Sequence, residues 1–305
     1  MVMPPDPNST LMPPRGWRLW WTAARPRTLT LAATPVLAGS ALAWSEGAPL
    51  HLMPALAALC GALLIQVGTN LHNDAADFES GNDGEERVGP TRVTAAGWAH
   101  PRAVRMAALS AFALAVALGG YLVAVGGWPI LAIGIASLLA GWAYSGGPRP
   151  VSHTPFGEVL VWLFFGLVAV AGSHYLQSGG LAASALVTGS ALGLLAAAVL
   201  LVNNTRDRVG DLAAGRRTLA AVLGPERARR AYALMVLLPF MAPFPLAFGE
   251  PLRPGALLAL LALLRGLVLI RAFGRAEGAA LNEVLASTAR LCFVFGLLLA
   301  VGVLL

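Results

Sequence analysis

The segment "GTNLHNDAADFESGNDGEERVGPTR", residues 68 to 92, gathers six acidic residues directly after an apolar run that ends near Val67. The six are Asp74, Asp77, Glu79, Asp83, Glu85 and Glu86. The whole chain has only 15 Asp and Glu residues, so composition alone does not explain this density. The abrupt change predicts that a membrane-spanning helix ends here and brings charged side chains to one membrane surface.

The composition of the rest of the chain also indicates a membrane protein. Of the 305 residues, 57% are hydrophobic and only 12% are charged, and the mean hydropathy is +0.70; soluble proteins average about 25% charged residues. Nine apolar runs are long enough to cross about 30 Å of hydrocarbon as helices. They cover 28–46, 50–72, 103–125, 128–145, 157–177, 181–203, 228–248, 254–272 and 284–305. We therefore predict an all-α, polytopic membrane protein with about nine transmembrane helices, which form a single domain over residues 25–305.

Residues 1–24 are predicted to form a separate N-terminal tail and interfacial segment. They are rich in proline and lack an apolar core followed by a small-residue cleavage site, so they do not resemble a signal peptide. Trp17, Trp20 and Trp21 lie beside arginines, a combination that is typical of the headgroup region of a bilayer. Residues 1–14 are equally compatible with a disordered tail.

The distribution of arginine predicts the orientation in the membrane. All 21 basic residues are arginine, and the net charge is +6. They concentrate before the first span and in the alternate loops 74–105, 149, 206–230 and 271–275, whereas the intervening loops contain only Arg253. The positive-inside rule places the N-terminus and the large loops in the cytoplasm and the C-terminus outside. No nucleic-acid partner is needed to explain the basic charge.

Two similar polar stations follow the second and the sixth span. The first station is "NLHNDAAD", residues 70–77, and the second is "NNTRDRVGD", residues 203–211. If helix continues through both, Asn70, Asn73, Asp74 and Asp77 share one face, and so do Asn203, Asp207 and Asp211. Carboxylates with neighbouring amides form a hard oxygen-ligand set that suits Mg²⁺. Because adjacent carboxylates repel each other unless a cation lies between them, the pattern predicts a metal site.

Arginines occur close to both stations. They are Arg92, Arg149, Arg206 and Arg216. Guanidinium groups match phosphate oxygens, so carboxylates and arginines together indicate a metal-bridged diphosphate. The two cysteines, Cys60 and Cys292, each fall inside a proposed span and suggest neither a disulfide nor a metal pair.

The simpler explanation is that these charges belong to ordinary solvated loops. We prefer it for a set of residues outside the two stations, namely Glu79, Glu85, Glu86, Arg227, Arg229 and Arg230. The stations themselves repeat one spaced pattern at two membrane exits, where ionisable groups are costly and usually functional. For them we favour a binding site.

The motifs resemble a known family. "NDAADFESG" is similar to the NDxxDxxxG signature, and "DRVGD" to the DxxxD signature, of the UbiA superfamily of intramembrane prenyltransferases. "SGNDGEERVGPTR" and "NNTRDRVGDLAAGRRTLAAVLG" resemble its menaquinone branch most, as do "ARPRTLTLAATPVLAG" at 24–39 and "YSGGPRPVSHTPFGEVLVWLFFG" at 144–166. Ala75 and Ala76 depart from the aromatic and small residues that members often carry there.

The resemblance implies a fold, an activity and roles for particular residues. It implies a helical bundle around a cavity open to the cytoplasmic side, in the bacterial inner membrane. The implied reaction is the Mg²⁺-dependent transfer of a polyprenyl group from its diphosphate to 1,4-dihydroxy-2-naphthoate, with loss of CO₂. The implied metal ligands are Asp74, Asp77, Asp207 and Asp211, with Asp83 as a weaker candidate and Asn70, Asn73 and Asn203 as neutral ligands or orienting partners. The implied diphosphate-binding residues are Arg92, Arg149, Arg206 and Arg216, with Tyr144 as a hydrogen-bond donor.

Several alternatives stay open from the sequence. The acceptor of a UbiA-type enzyme can instead be 4-hydroxybenzoate, homogentisate, haem or chlorophyllide, and intramembrane acids also mark the ion pathways of transporters. Arg149 can hold either the diphosphate or the carboxylate of the acceptor. The sequence assigns no role to His72, His153 or Glu158.

Overall fold

The computed structural model of the protein describes residues 14–79, 89 and 91–305, and throughout these residues the regular secondary structure is helical. The helical segments, which include short 3₁₀ and π turns, are α1 Trp17–Ala24, α2 Pro26–Ser45, α3 Leu52–Glu79, α4 Pro101–Ser145, α5 Gly157–Ser178, α6 Ala183–Arg206, α7 Arg208–Ala213, α8 Leu219–Phe248, α9 Pro254–Arg275 and α10 Gly278–Gly302, and a separate 3₁₀ turn covers Val151–His153. Among the described residues, eight of these segments are long and apolar enough to cross a membrane. The protein is therefore a multi-pass helical membrane protein, as predicted.

The nine predicted spans correspond to these eight segments because α4 contains two of them. Gly127 interrupts the 45-residue α4 with φ 70° and ψ −156°, a left-handed conformation that glycine adopts without a Cβ penalty. Pro129 follows two residues later and lacks the N–H needed for helix continuation. The break separates 101–126 from 128–145, close to the boundary predicted from hydropathy.

The ends of α3 and α6 differ in regularity. Helix α3 runs unbroken through the whole first station to Glu79, as predicted. Helix α6 ends at Arg206, and Asp207 has φ −89° and ψ 1° before α7 begins. The helical hydrogen bonds nevertheless continue across this step, from Asp207 N–H to the Asn203 carbonyl (3.1 Å) and from Asp211 N–H to the Asp207 carbonyl (2.9 Å).

Helix α6 occupies the centre of the bundle and carries the second station. Leu192, Leu195 and Leu201 on α6 are fully buried in the main hydrophobic core. Helix α5 packs against it through glycines: a Cβ placed on Gly166 would lie 2.3 Å from the Gly189 carbonyl oxygen. Only residues without a side chain permit this close approach, so the backbones of α5 and α6 are held in fixed register.

The opposite end of the bundle carries a separate polar cluster. Glu46, at the end of α2, lies 3.3 Å from a guanidinium nitrogen of Arg253 and 2.8 Å from His174 Nε2. Arg253 was the one arginine in loops predicted to lie outside the cell, and it is buried and paired there. This cluster joins α2, α5 and the start of α9, whereas the two stations lie at the other end.

Candidate active site

A cavity of about 640 Å³ runs between α2, α3, α4, α5 and α6. Most of its wall is apolar and small-residue rich, and Gly61, Gly119 and Gly120 leave open space where a side chain would otherwise project. One end is polar. The polar side chains there are Arg25, Thr28, Gln66, Asn70, Asn73, Asp77, Arg92, Tyr144, Ser145, Ser152, Asn203, Asn204, Asp207, Asp211 and Arg216. Such a cavity can hold an anionic head and a long apolar tail at once.

The two carboxylates of the first station face different surroundings. Asp77 lies on the cavity wall. Asp74 is only 1% exposed and accepts hydrogen bonds from the backbone N–H groups of Val93 and Thr94, both at 3.1 Å, and from the Thr94 hydroxyl. Asp74 therefore anchors the 92–94 segment to α3. Its predicted role as a metal ligand remains a prediction, and this hydrogen bonding favours an anchoring role.

The anchored segment brings Arg92 to Asp77. Arg92 immediately precedes Val93, and its guanidinium group forms an ion pair with Asp77 and donates to the Asn73 carbonyl at 3.3 Å. Arg92 lines the cavity, as its predicted diphosphate contact requires. In the first station, Asp74 thus anchors the segment that places Arg92 beside Asp77.

Arg216 joins the two stations. Its Nη2 lies 3.4 Å from Asp77 Oδ1 and its Nη1 lies 3.4 Å from Asp211 Oδ1, although the two aspartates are far apart in sequence. A hydrogen bond of 2.8 Å from the Arg216 N–H to the Asp211 carbonyl fixes the arginine backbone. Arg216 therefore brings one carboxylate of each station to the same guanidinium group.

Arg206, Arg149 and Tyr144 differ in whether they line the cavity. Arg206 is buried away from the cavity wall, where it pairs with Asp207 at 2.7 Å and donates to the side-chain oxygens of Asn203 and Asn282. Arg206 therefore orients the second station from the protein interior. Arg149 is exposed and does not line the cavity, whereas Tyr144 does.

Sequence reasoning missed several polar residues of the cavity wall, among them Arg25, Gln66 and Asn204. Arg25 has φ 53° and is the only described residue other than glycine with a positive φ. The Asn70 amide holds this turn by donating to the Ala24 carbonyl at 2.9 Å and to Thr28 Oγ1 at 3.1 Å. Gln66 had a sequence signal, because it lies four residues before Asn70 on the same helical face.

The structure places the three residues without an assigned role near the site but not on the cavity wall. His72 contacts the 145–148 turn, since a Cβ on Gly146 would lie 2.9 Å from its Nε2. His153 lies beside the second station, where burial lowers the pKa of its imidazole and the charge of Arg216 lowers it further. Glu158 is buried and accepts a hydrogen bond from Asn204 at 2.9 Å.

The donor set at the polar end fits a hard cation. Asp77, Asp207 and Asp211 contribute carboxylates to the wall, and Oδ1 of Asn73 is buried there with no hydrogen-bond partner in the part of the chain that the structure describes. Burial raises the pKa of Asp211 to about 6, against the opposing effect of Arg216. No three Asp, Glu, His or Cys side chains of the described residues form a ready-made metal cage. Mg²⁺ commonly uses one or two carboxylates plus substrate phosphates, so such a cage is not required. Asp83 lies outside the described residues.

Comparison with known proteins identifies the family. Residues 32–295 match the model of the UbiA prenyltransferase family. The chain belongs to this family. The resemblance that the two signatures suggested is therefore confirmed, and the match extends through the last spans, which carried no motif of their own.

Several relatives of this UbiA-family chain share one name. A 1,4-dihydroxy-2-naphthoate octaprenyltransferase from Mycobacterium tuberculosis is 38% identical over 234 residues, which cover 76% of this chain and 79% of the relative. The Bacillus subtilis protein of the same name is 31% identical over 290 residues, 94% of this chain and 93% of the relative. A solved UbiA homologue from Archaeoglobus fulgidus, bound to DMAPP and Mg²⁺, aligns with a TM-score of 0.64 at 15% identity, over 92% of this chain and 99% of that one. At this identity, the structural likeness shows the fold alone.

Proposed function

We propose that the protein transfers a polyprenyl group from its diphosphate to 1,4-dihydroxy-2-naphthoate, with loss of CO₂, in menaquinone biosynthesis. The observation that carries the proposal is one cavity whose polar end combines Asp77, Asp211 and Arg216 and whose remainder is apolar. A polyprenyl diphosphate likewise has a charged head and an apolar tail. The shared name of the relatives supports the choice of naphthoate.

The chain's own residues bind and orient the diphosphate. Arg92 and Arg216 present guanidinium forks where negative charge develops on the leaving group. Asp77, Asp207, Asp211 and Asn73 are the residues that would hold Mg²⁺. When bound, Mg²⁺ supplies Lewis-acid stabilisation of the departing diphosphate. The apolar wall excludes water, which would otherwise compete with the acceptor for the allylic carbon.

The proposed reaction replaces the carboxylate of the acceptor ring by the polyprenyl group. The allylic C–O bond breaks and leaves its electron pair on the diphosphate. The electron-rich ring carbon that bears the carboxylate forms the new C–C bond. The bond from that carbon to the carboxylate then breaks, its electron pair restores aromaticity, and CO₂ departs in place of the proton lost in ordinary substitution.

A competition assay tests this assignment. Purified protein in lipid nanodiscs receives Mg²⁺, a polyprenyl diphosphate and equal amounts of dihydroxynaphthoate and 4-hydroxybenzoate, and the products are identified by mass. We expect a prenylated product that has lost CO₂. Preferential formation of prenylated 4-hydroxybenzoate that keeps its carboxylate would overturn the naphthoate assignment.

We also propose that the station end faces the cytoplasm of a bacterial inner membrane, in keeping with the arginine distribution. Glu226 and Leu252 have exposed side chains in loops predicted to lie on opposite sides. In a Cys60→Ser background, Glu226→Cys should react with an impermeant thiol reagent only after the cells are opened. Leu252→Cys should react in intact cells. The reverse pattern would invert the topology.

A further inference from the structure

Glu158 is a buried carboxylate that the reaction described above does not use. It lies in the first turn of α5 and is only 2% exposed. Its Oε1 accepts a hydrogen bond from Asn204 Nδ2 at 2.9 Å, while its Oε2 is buried and has no hydrogen-bond partner among the described residues. A half-satisfied carboxylate is costly inside an apolar bundle and usually marks a functional site. This residue therefore needs an explanation beyond packing.

The partner of Glu158 reaches the cavity. Asn204 lies on α6, is 8% exposed and forms part of the cavity wall. The bond runs from the Asn204 amide N–H to Glu158, so the amide nitrogen faces Glu158. The carbonyl oxygen Oδ1 is the atom left for a ligand.

The position of Asn204 suits recognition of the second substrate. It lies three residues before Asp207, so along a helix the two differ in height by about 4.5 Å. Asp207 belongs to the charged end where the diphosphate is proposed to bind, and Leu200, one turn earlier, lines the apolar part of the cavity. A ligand held by Asn204 would lie at the junction of head and tail, where the allylic carbon has to meet the acceptor ring.

The start of α5 packs against α6 at Leu200, one turn before Asn204. A Cβ on Gly157 would lie 3.3 Å from Leu200 Cδ2, which shows how closely the two helices approach there. Glu158 follows Gly157 directly, and its carboxylate can hold the Asn204 amide in one orientation.

We propose that Asn204 recognises a hydroxyl group of the aromatic acceptor through Oδ1, and that Glu158 is the positioning residue that orients the amide. The inference rests on the proposed function, since it concerns the acceptor of that reaction. The acceptor O–H donates to Oδ1, and the ring is held beside the allylic carbon. A site built to accept this bond discriminates against rings that lack the hydroxyl.

The test separates the two substrates kinetically. In nanodiscs with Mg²⁺, the KM for the naphthoate and the KM for the polyprenyl diphosphate are measured for the wild type, Asn204→Ala and Asn204→Leu. We expect the loss of one hydrogen bond to raise the KM for the acceptor about tenfold. The KM for the diphosphate should stay within about twofold. The leucine variant keeps the side-chain volume if alanine fails to fold, and tryptophan fluorescence on heating checks folding.

A pair of substitutions at Glu158 tests the positioning role. Glu158→Gln keeps an oxygen that accepts from Asn204 and should behave like the wild type. Glu158→Met has a similar volume but no strong hydrogen-bond acceptor. It should therefore raise the KM for the naphthoate, as Asn204→Ala does. Thr188→Val is the matched control, because Thr188 is a buried polar residue on α6 away from the cavity wall. It should leave both KM values unchanged.

The outcomes distinguish the inference from the proposed function. Equal rises in both KM values for Asn204→Leu, or a Glu158→Met variant that matches the wild type, would overturn the inference while the naphthoate assignment stands. A wild type that prenylates a different hydroxylated ring, with the same selective rise in the acceptor KM, would overturn the naphthoate assignment and support the role of Asn204.

Discussion

The two stations look alike in sequence and differ in three dimensions. In the first, α3 continues without a break, Asp77 faces the cavity and Asp74 turns to the backbone of the 92–94 segment. In the second, the helix steps at Asp207, and both Asp207 and Asp211 line the cavity. The comparison shows that helical spacing places side chains on a shared face, but the packing around that face decides which of them reach the ligand.

The arginines accentuate this difference. Asp207 is held by Arg206, its immediate neighbour, which approaches from inside the protein. Asp77 is held by Arg92 and Arg216, which both line the cavity. The arginine that orients the second station therefore lies inside the protein. The arginines of the first station line the cavity where the diphosphate is proposed to bind.

The largest effect is expected for the carboxylates that line the cavity in both stations. Asp77→Asn and Asp207→Asn each remove a charge that helps to hold the cation and the diphosphate, and each should lower kcat/KM by about a hundredfold or more, the scale seen when a group that stabilises a leaving charge is lost. Steady-state kinetics in nanodiscs measures this. Glu226→Gln, at an exposed position, is the control. Activity within a few fold of wild type for either station variant would show that its station is not catalytic.

An intermediate effect is expected for Asp74→Asn. An amide offers one acceptor oxygen where the carboxylate serves two backbone N–H groups, so the 92–94 segment should loosen and Arg92 should be less well placed. We expect a loss of about tenfold in kcat/KM and faster hydrogen exchange at the Val93 and Thr94 amides. Asp77→Asn should leave that exchange nearly unchanged.

Thr94→Val provides the control for this comparison. It removes the contacts of the Thr94 hydroxyl with the carboxylate and the carbonyl of Asp74. It keeps the bonds from the Val93 and Thr94 N–H groups to the carboxylate, so its effect should be smaller. If Asp74→Asn lost as much activity as Asp77→Asn with no change in exchange, Asp74 would be a ligand as the sequence predicted, and the anchoring role would be wrong.

The sequence predicted the helical membrane fold and most of the cavity's charged residues because hydropathy and helical spacing are local properties. The break at Gly127 divides α4 into the two predicted spans, within a few residues of their predicted boundaries. The direction of Asp74 was not predictable, because it depends on a segment about 20 residues later. Asn204 was overlooked beside Asn203 for a related reason: its significance comes from Glu158 on another helix.

The smallest effect concerns proton competition at the second station. Burial raises the pKa of Asp211 to about 6, so this carboxylate is largely ionised at pH 7.5 and largely protonated at pH 5. Since a cation binds the ionised form, the affinity for a divalent ion should fall as the pH drops through about 6, by up to about tenfold one pH unit below that pKa. Titration with Mn²⁺, followed by electron paramagnetic resonance in the absence of diphosphate, measures this directly. Asp211→Asn should bind more weakly at pH 7.5 and lose most of the slope between pH 7 and pH 5. An unchanged slope in that variant would assign the proton to another group and would leave Asp77 and Asp207 as the carboxylates that control metal binding.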